Sequence, residues 1–201
     1  LYTTGGPELP TQRRVTHISY DPTAGQLFAG NAEITPGAPG VRGFSAGSLA
    51  GLFELQGKII PQLSQELDGF ATLLVDRFRA IDDSLAPGEP GLFVDSAGEG
   101  RGAGGLAQRL PINPRVSPGK GGDPALLTSG LGSEPGLSQG DPALSFAMIS
   151  AIDERVAGNT AFGERQSLSD YATSMVSGQQ QRRVSAEAVA GQAAISGATI
   201  S

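Results

Sequence analysis

The sequence contains no cysteine, no tryptophan and only one histidine. The lack of cysteine excludes disulfide bonds, thiolate zinc sites and a cysteine nucleophile. A catalytic histidine needs an orienting partner, and the residues around His17 supply none, so we interpret His17 as a surface or hairpin side chain. We therefore expect the stability of the fold to come from packing alone.

Positive charge and long apolar runs are also scarce. The net charge is -6, and basic residues are adjacent only at Arg13-Arg14 and Arg182-Arg183. Two such pairs do not make the basic patch that nucleic acid requires, so we expect no nucleic-acid partner. No stretch approaches the roughly 18 uninterrupted apolar residues of a membrane span, so we expect no membrane partner.

Glycine and proline, in contrast, are abundant, with 30 and 14 residues. They cluster in segments 34–47, 86–105 and 111–142. Both residue types favour turns and loops, and periodic segments lie between the clusters. The sequence therefore predicts a mainly α protein with a small β part.

The longest periodic segment is "GSLAGLFELQGKIIPQLSQELDGFATLLVDRFRAID". One series of its apolar residues, continued just beyond it to Leu85, is mostly spaced three or four positions apart, which is the spacing of one helix face. The series is Leu52, Ile59, Ile60, Leu63, Leu67, Phe70, Leu74, Phe78, Ile81 and Leu85. We predict a long helix over about 46–84, capped by Ser45 or Ser48 and bent at Pro61.

The repeated motif "GDPAL" predicts two further helix starts. Asp123 and Asp141 are suited to cap a helix, and the proline that follows each is preset for the first turn. We expect the first helix to end at Gly130, and we predict longer helices over about 141–156 and 167–197. The three long helices are expected to form an elongated antiparallel bundle.

The N-terminal part of the chain has a different pattern. The segments "RRVTHISY" and "QLFAGNAEI" alternate apolar with polar residues and flank "DPTAG", which predicts a β-hairpin. We divide the chain into a β-hairpin segment at 1–43 and a helical rod domain at 44–201, with long Gly/Pro-rich loops at 86–140.

The stretch "GFSAG" at 43–47 matches the G-x-S-x-G elbow that presents a nucleophilic serine. In hydrolases of that type the acid and the histidine follow the serine, whereas His17 precedes Ser45. The preceding "GAPGVR" is also a poor core strand. We interpret this stretch as a loop that caps the long helix.

Two glycine-rich stretches have the composition of phosphate-binding loops. "GRGAGG" at 100–105 fits the G-x-G-x-x-G spacing, but Pro111 and Pro114 interrupt any helix that could hold a phosphate at its N-terminus. "SPGKGGD" lacks the first glycine and the Ser/Thr of a P-loop. We interpret both as loops.

Asp82, Asp83, Glu89 and Asp95 form the densest acidic group. Their spacing does not match a calcium loop and no histidine lies near them, so we interpret the group as a solvated helix end. The sequence thus predicts no catalytic, cofactor-binding or metal-binding residue, no cofactor and no enzymatic activity.

The long-helix segment is followed, in this order, by "PGLFVD", "INPRVSPGKGGDPALLTSG" and "GDPALSFAMISAID". This series resembles the flagellar hook-associated protein 1 family, the hook-filament junction proteins, over about residues 44–195. The resemblance implies that residues 1–43 are the end of an outer β domain. Because "LYTTGGPELP" looks like the interior of a longer protein, we expect an internal to C-terminal fragment.

The resemblance also implies a function. It points to an extracellular structural subunit of the bacterial flagellum that assembles into a ring between hook and filament. The implied partners are further copies of the chain, the flagellar hook protein and the adjoining hook-associated protein, with an export chaperone binding a C-terminal segment outside this chain.

Two alternatives remain open. The chain could be another axial protein, flagellin or hook-associated protein 3, although "INPRV" followed by "GGDPALL" favours the junction protein. A secreted enzyme or a carbohydrate-binding module built on a flagellar-type scaffold, with Ser45 or the acidic group as its site, is the second alternative.

Overall fold

A computed structural model describes residues 17–39, 47–100, 104–134, 136, 142–157 and 165–199. In these residues the protein is mainly helical, with a three-stranded antiparallel sheet near its N-terminus. The predicted class, mainly α with a small β part, is confirmed. The chain divides into two compact units, one formed by Leu1–Gln62 and Arg182–Ser201, the other by Leu63–Gln181.

The sheet of the first unit contains the predicted hairpin. Strands β1 (Ile18–Asp21) and β2 (Gln26–Ala29) pair antiparallel, and a short strand β3 (Ala32–Glu33), which the sequence pattern did not indicate, continues from β2. The carboxylate of Asp21 accepts hydrogen bonds from the amides of the turn that follows it. Asparagine and aspartate favour turns for this reason.

A small apolar cluster supports this sheet. Leu27, Ala29 and Ile34 are buried, and Phe53 packs against them. Leu27 and Ala29 share one face because side chains alternate along a strand. Tyr20 adds an edge-to-face contact with Phe53, with 6.1 Å between the ring centroids.

The long helix consists of α1 (Ser48–Glu54), a π-helical turn (Leu55–Ile59) and α2 (Ile60–Ala80). It is shorter at both ends than the predicted 46–84. Ser48 is its first helical residue and not its cap, since Gly47, with φ of 95°, occupies the cap position without a side-chain hydrogen bond. Ser45 lies outside the described residues.

The π turn lies directly before Pro61, where the sequence predicts a bend. The amide of Ile60 donates to the carbonyl of Leu55, five residues back, in place of the usual four. A proline ring collides with the carbonyl four residues before it, here that of Gly57, and has no N–H to donate. Widening the helix by one residue ahead of Pro61 relieves this conflict, as π-bulges do.

The second unit contains the remaining elements. They are α3 (Leu126–Ser129), α4 (Ala143–Asp153), β4 (Val156–Ala157), β5 (Arg165–Gln166) and the N-terminal part of α5 (Leu168–Thr199). Helix α3 ends at Gly130 as predicted. The helix predicted over 141–156 is α4, which ends earlier because the chain enters the β4–β5 hairpin.

Helix α5 begins with a capping box. The hydroxyl of Ser167 accepts a hydrogen bond from the amide of Asp170, and the carboxylate of Asp170 accepts one from the amide of Ser167. Each side chain satisfies an amide that the first helical turn leaves without a partner. The helix predicted over 167–197 is confirmed to within two residues at each end, since α5 extends over Leu168–Thr199.

The core of the second unit forms around the C-terminal half of α2. Its buried residues are Phe78, Val116, Leu126, Leu131, Met148 and Leu168. Phe78 meets Phe93 edge to face, with 5.2 Å between the ring centroids.

The predicted apolar stripe of the long helix is therefore buried only in part. From Phe70 onward its residues pack against the core, whereas Leu67, which belongs to the same predicted apolar face, is 40% exposed. The periodicity predicted the helix correctly but not the extent of its burial.

Candidate functional site

The N-terminal half of the long helix exposes a series of large apolar side chains. No residue of α1 or the π turn is buried. Leu52 is 60% exposed and Ile60 is 50% exposed, and Leu49 and Leu55 are also exposed. Contiguous exposed apolar side chains commonly mark surfaces that bind another macromolecule.

Helix α4 carries a second exposed apolar face. Met148 and Ala151 are buried in the core, while Phe146 and Ile149, on the opposite side, are 63% and 64% exposed. Ile152 continues this outer face one turn later. A helix that is apolar on both sides is typical of one buried on both sides, but the described residues cover only the inner side.

Residues 179–191 of α5 have little cover from the rest of the described chain. Between Gln179 and Gly191, the last residue whose side chain is described, every residue except the partly buried Arg182 is exposed. Val184 and Val189 lie here, and Val189 is 66% exposed. Isolated helices are marginally stable in water, so such a segment gains most from a packing partner.

Three of the four residues in the acidic group predicted as a solvated helix end accept hydrogen bonds from nearby loops. Asp82 is buried, and its carboxylate accepts hydrogen bonds from the amide and hydroxyl of Ser84 and from the amide of Leu131, at 2.5 to 3.1 Å. The carboxylate of Glu89 accepts a hydrogen bond from the amide of Ala86. Asp83 alone fits the prediction, being exposed. For Asp82 the prediction was wrong, because glycine-rich loops present amides that need acceptors.

Asp95, the fourth acidic residue, forms an ion pair with Arg109, with 2.8 Å between Oδ1 and Nε. It also accepts the amides of Ala97 and Gly100. Burial alone would raise the pKa of the Asp95 carboxyl, but these amides and the guanidinium outweigh it and hold the pKa below its ordinary value.

The same ion pair organises the "GRGAGG" loop. Arg109 donates to the carbonyls of Gly100 and Gly104, at 3.2 and 2.6 Å. The carbonyl groups in this part of the loop are therefore used to bind Arg109 of the same chain. Residues 101–103 lie outside the described part.

The end of that loop is held by α2. The carboxylate of Asp68 accepts the amides of Gly105 and Ala107, at 2.6 and 2.9 Å. These amides begin the 3-10 turn Leu106–Arg109, which has no local side-chain cap. Asp68 thus acts as a cap supplied from a distant part of the sequence.

The "SPGKGGD" stretch is also structural. The amides of Gly121 and Gly122 donate to the carbonyls of Pro118 and Ser117. A side chain at Gly122 would approach the carbonyl oxygen of Pro114 to 2.2 Å, so this glycine is required for backbone packing. Both amides are thus used in backbone hydrogen bonds within the stretch.

Arg77, which no sequence pattern indicates, makes three hydrogen bonds from α2 to backbone carbonyls of the second unit. Its guanidinium donates through Nη1 to the carbonyls of Ala151 and Glu154, at 3.1 and 2.8 Å, and through Nη2 to the carbonyl of Gln166. Two of these carbonyls lie at the C-terminal end of α4, where a positive charge is favourable. Burial lowers the pKa of Arg77, and the charge of Glu154 opposes this shift.

An open groove of about 440 Å³ lies at the C-terminal end of α2. Its polar lining residues include Asp76, Arg79 and Asp83, together with Asp82, whose carboxylate binds the amides described above. Within the described residues no group of three or more acidic or histidine side chains is placed to hold a metal ion. His17 is exposed at the start of β1, and its carbonyl accepts the amide of Gly30.

No helix in the described ranges is both long and apolar enough to cross a membrane. No protein-family model, curated protein or solved structure matches the chain. The described residues thus present three exposed apolar surfaces, on α1 with the π turn, on α4 and on α5.

Proposed function

We propose that this chain is an assembling structural subunit of the bacterial flagellum that forms the junction between hook and filament. The observation that carries the proposal is the apolar surface of three helical segments. Each segment exposes large apolar side chains, such as Leu52, Ile149 and Val189, which suits subunits that pack against one another. The order of motifs along residues 44–195 supports the flagellar assignment.

In this proposal the chain is extracellular and assembles into a ring of identical copies. Its other partners are the flagellar hook protein, the adjoining hook-associated protein and, during export, a chaperone. We further propose that the long helices pack as an elongated antiparallel bundle, in which the exposed sides of α1 and α5 are covered.

The polar clusters support a structural role and not a catalytic one. Asp68, Asp82, Asp95 and Arg109 all make hydrogen bonds to loop backbone atoms. Side chains committed in this way stabilise the loops between helices. Loops held by such hydrogen bonds suit a subunit that packs against its neighbours.

Gene deletion followed by electron microscopy tests the proposal. We expect hooks without filaments and unpolymerised flagellin in the medium, with filaments restored by the wild-type gene. Normal motile filaments in the deletion strain would refute the assignment. Binding of the purified chain to bare hook ends would distinguish a junction protein from axial proteins that do not contact the hook.

Complementation with surface variants then tests the apolar face of α4. Ile149→Asp places a charge on the exposed face without disturbing the core, so it should fail to restore filaments. Ser150→Asp, an equally charged change at the exposed neighbouring position, is the matched control and should restore them. Equal filament numbers with both variants would exclude this face from the assembly contact.

A further inference from the structure

The segment Leu55–Gln62 combines three features that each weaken a helix. Its π turn replaces the usual hydrogen bond with one that spans five residues, from the amide of Ile60 to the carbonyl of Leu55. Pro61 has no amide to donate, so it cannot close the α-helical bond to the carbonyl of Gly57. Gly57 itself has the largest backbone freedom of any residue type.

The segment also lacks support from packing. Leu55, Gln56, Gly57, Lys58, Ile60, Pro61 and Gln62 are exposed, and Ile59 is partly buried. A Cβ atom at Gly57 would meet nothing within 4 Å. In α2 the partly buried residues begin at Leu63, and from Phe70 the helix packs against the core. Local opening is easiest where few buried contacts oppose it.

We propose that Leu55–Gln62 is a hinge built into the long helix. Movement consists of a change between the π and α hydrogen-bond registers, in which the amide of Ile60 moves from the carbonyl of Leu55 to that of Gln56. Helices α1 and α2 keep their own hydrogen bonds while the direction of the axis between them changes. The hinge does not depend on the proposed flagellar role, since only residues of this helix form it.

Distance measurements between spin labels test the hinge. The chain has no cysteine, so labels can be placed by Ser48→Cys with Gln65→Cys, both exposed sites that span the segment. The control pair, Gln65→Cys with Ala80→Cys, lies entirely within α2. We expect a broader distance distribution for the spanning pair. Equal widths for the two pairs would overturn the proposal.

Substitution of the proline makes the test specific. Pro61→Ala restores the missing amide, so it should narrow the distribution of the spanning pair to the width of the control pair. It should also slow hydrogen exchange of the amides at 57–60 and 62 by roughly tenfold. An unchanged width in a folded Pro61→Ala protein would refute the hinge.

A glycine pair provides a second test that does not depend on Pro61→Ala folding correctly. Gly57→Ala and Gly51→Ala add the same methyl group at open positions in the same helix. We expect Gly57→Ala to narrow the distribution and Gly51→Ala, outside the hinge, to leave it unchanged. The same effect from both variants would show that general helix propensity, and not a hinge, controls the width.

Discussion

The two halves of the long helix have similar apolar periodicity and very different surroundings. In Ser48–Gln62 the apolar side chains Leu52 and Ile60 are exposed, and Phe53 packs against the small cluster beside the sheet. In Leu63–Ala80 the helix buries Phe78 and Arg77. The comparison shows that periodicity identifies a helix face, whereas burial depends on whether another part of the chain covers that face.

The largest expected difference between the halves is in core packing. Phe78→Ala removes a buried ring that contacts Phe93, so it should lower the free energy of unfolding by about 3–5 kcal/mol. Leu52→Ala, in the exposed half, should change it by less than about 0.5 kcal/mol. Urea denaturation of both variants measures the difference, and equal losses would contradict the contrast between the halves.

The second difference is in how much a basic residue of each half contributes to the free energy of unfolding. Arg77→Met leaves the carbonyls of Ala151, Glu154 and Gln166 without their donor, which should cost about 3 kcal/mol. Lys58→Met, at an exposed position of the π turn, should be nearly neutral. If chemical denaturation gave similar stabilities for both variants, the contacts of Arg77 would contribute little.

Replacing a glycine by alanine in each half is expected to give a smaller difference in stability. Gly51→Ala should stabilise the protein by up to about 1 kcal/mol because alanine is the better helix former. At Gly69 the added Cβ would lie 2.8 Å from the hydroxyl of Tyr171, which donates to the carbonyl of Glu66. Gly69→Ala should therefore be destabilising by about 1–2 kcal/mol.

Thermal melts of the two glycine variants provide the measurement. Tyr171→Phe removes the hydroxyl, so combining it with Gly69→Ala should recover part of the loss. Additive effects of the two substitutions would show that this contact does not limit the packing of α2 against α5.

The smallest expected effect is the dependence of folding stability on pH. The amide and hydroxyl of Ser167 and the guanidinium of Arg155 hold the pKa of Asp170 below its ordinary value, and the pKa of Asp95 is also lowered. Because both carboxyl groups have lower pKa values when folded, their stabilisation is complete above about pH 4, and it is lost as pH falls through the folded values.

Melting temperatures between neutral and acidic pH measure this effect. Asp170→Asn with Asp95→Asn should reduce the loss of stability in acid. Asp83→Asn, an exposed member of the acidic group, should leave the acid profile unchanged. A profile that the double substitution does not alter would assign the acid sensitivity to other carboxylates.

Features set by neighbouring residues could be predicted from the sequence. The hairpin turn at Asp21, the end of α3 at Gly130 and the start of α5 at Ser167 all depend on local hydrogen bonds or local backbone conformation. The start of the long helix was less exact, since Gly47 and not Ser48 precedes the first turn.

Features set by distant residues could not be predicted. Asp68 caps the turn at Leu106–Arg109, and Asp82 binds the amide of Leu131, although neither pairing has a sequence signature. The burial of the long helix and the small β4–β5 hairpin depend on similar long-range contacts. Among the candidate sites, Arg77 could have been found only by asking why an arginine lies beside Phe78 in an apolar stripe.

The contacts of Arg77 also bear on the order of folding. Its hydrogen bonds join residues that are 74, 77 and 89 positions apart in the sequence. Closing such long loops costs chain entropy before the contacts form, so these bonds are expected to form after the transition state for folding. Arg77→Met should then speed unfolding while leaving the refolding rate nearly unchanged, which stopped-flow measurements can determine. Arg77 would in that case act chiefly on the lifetime of the folded state.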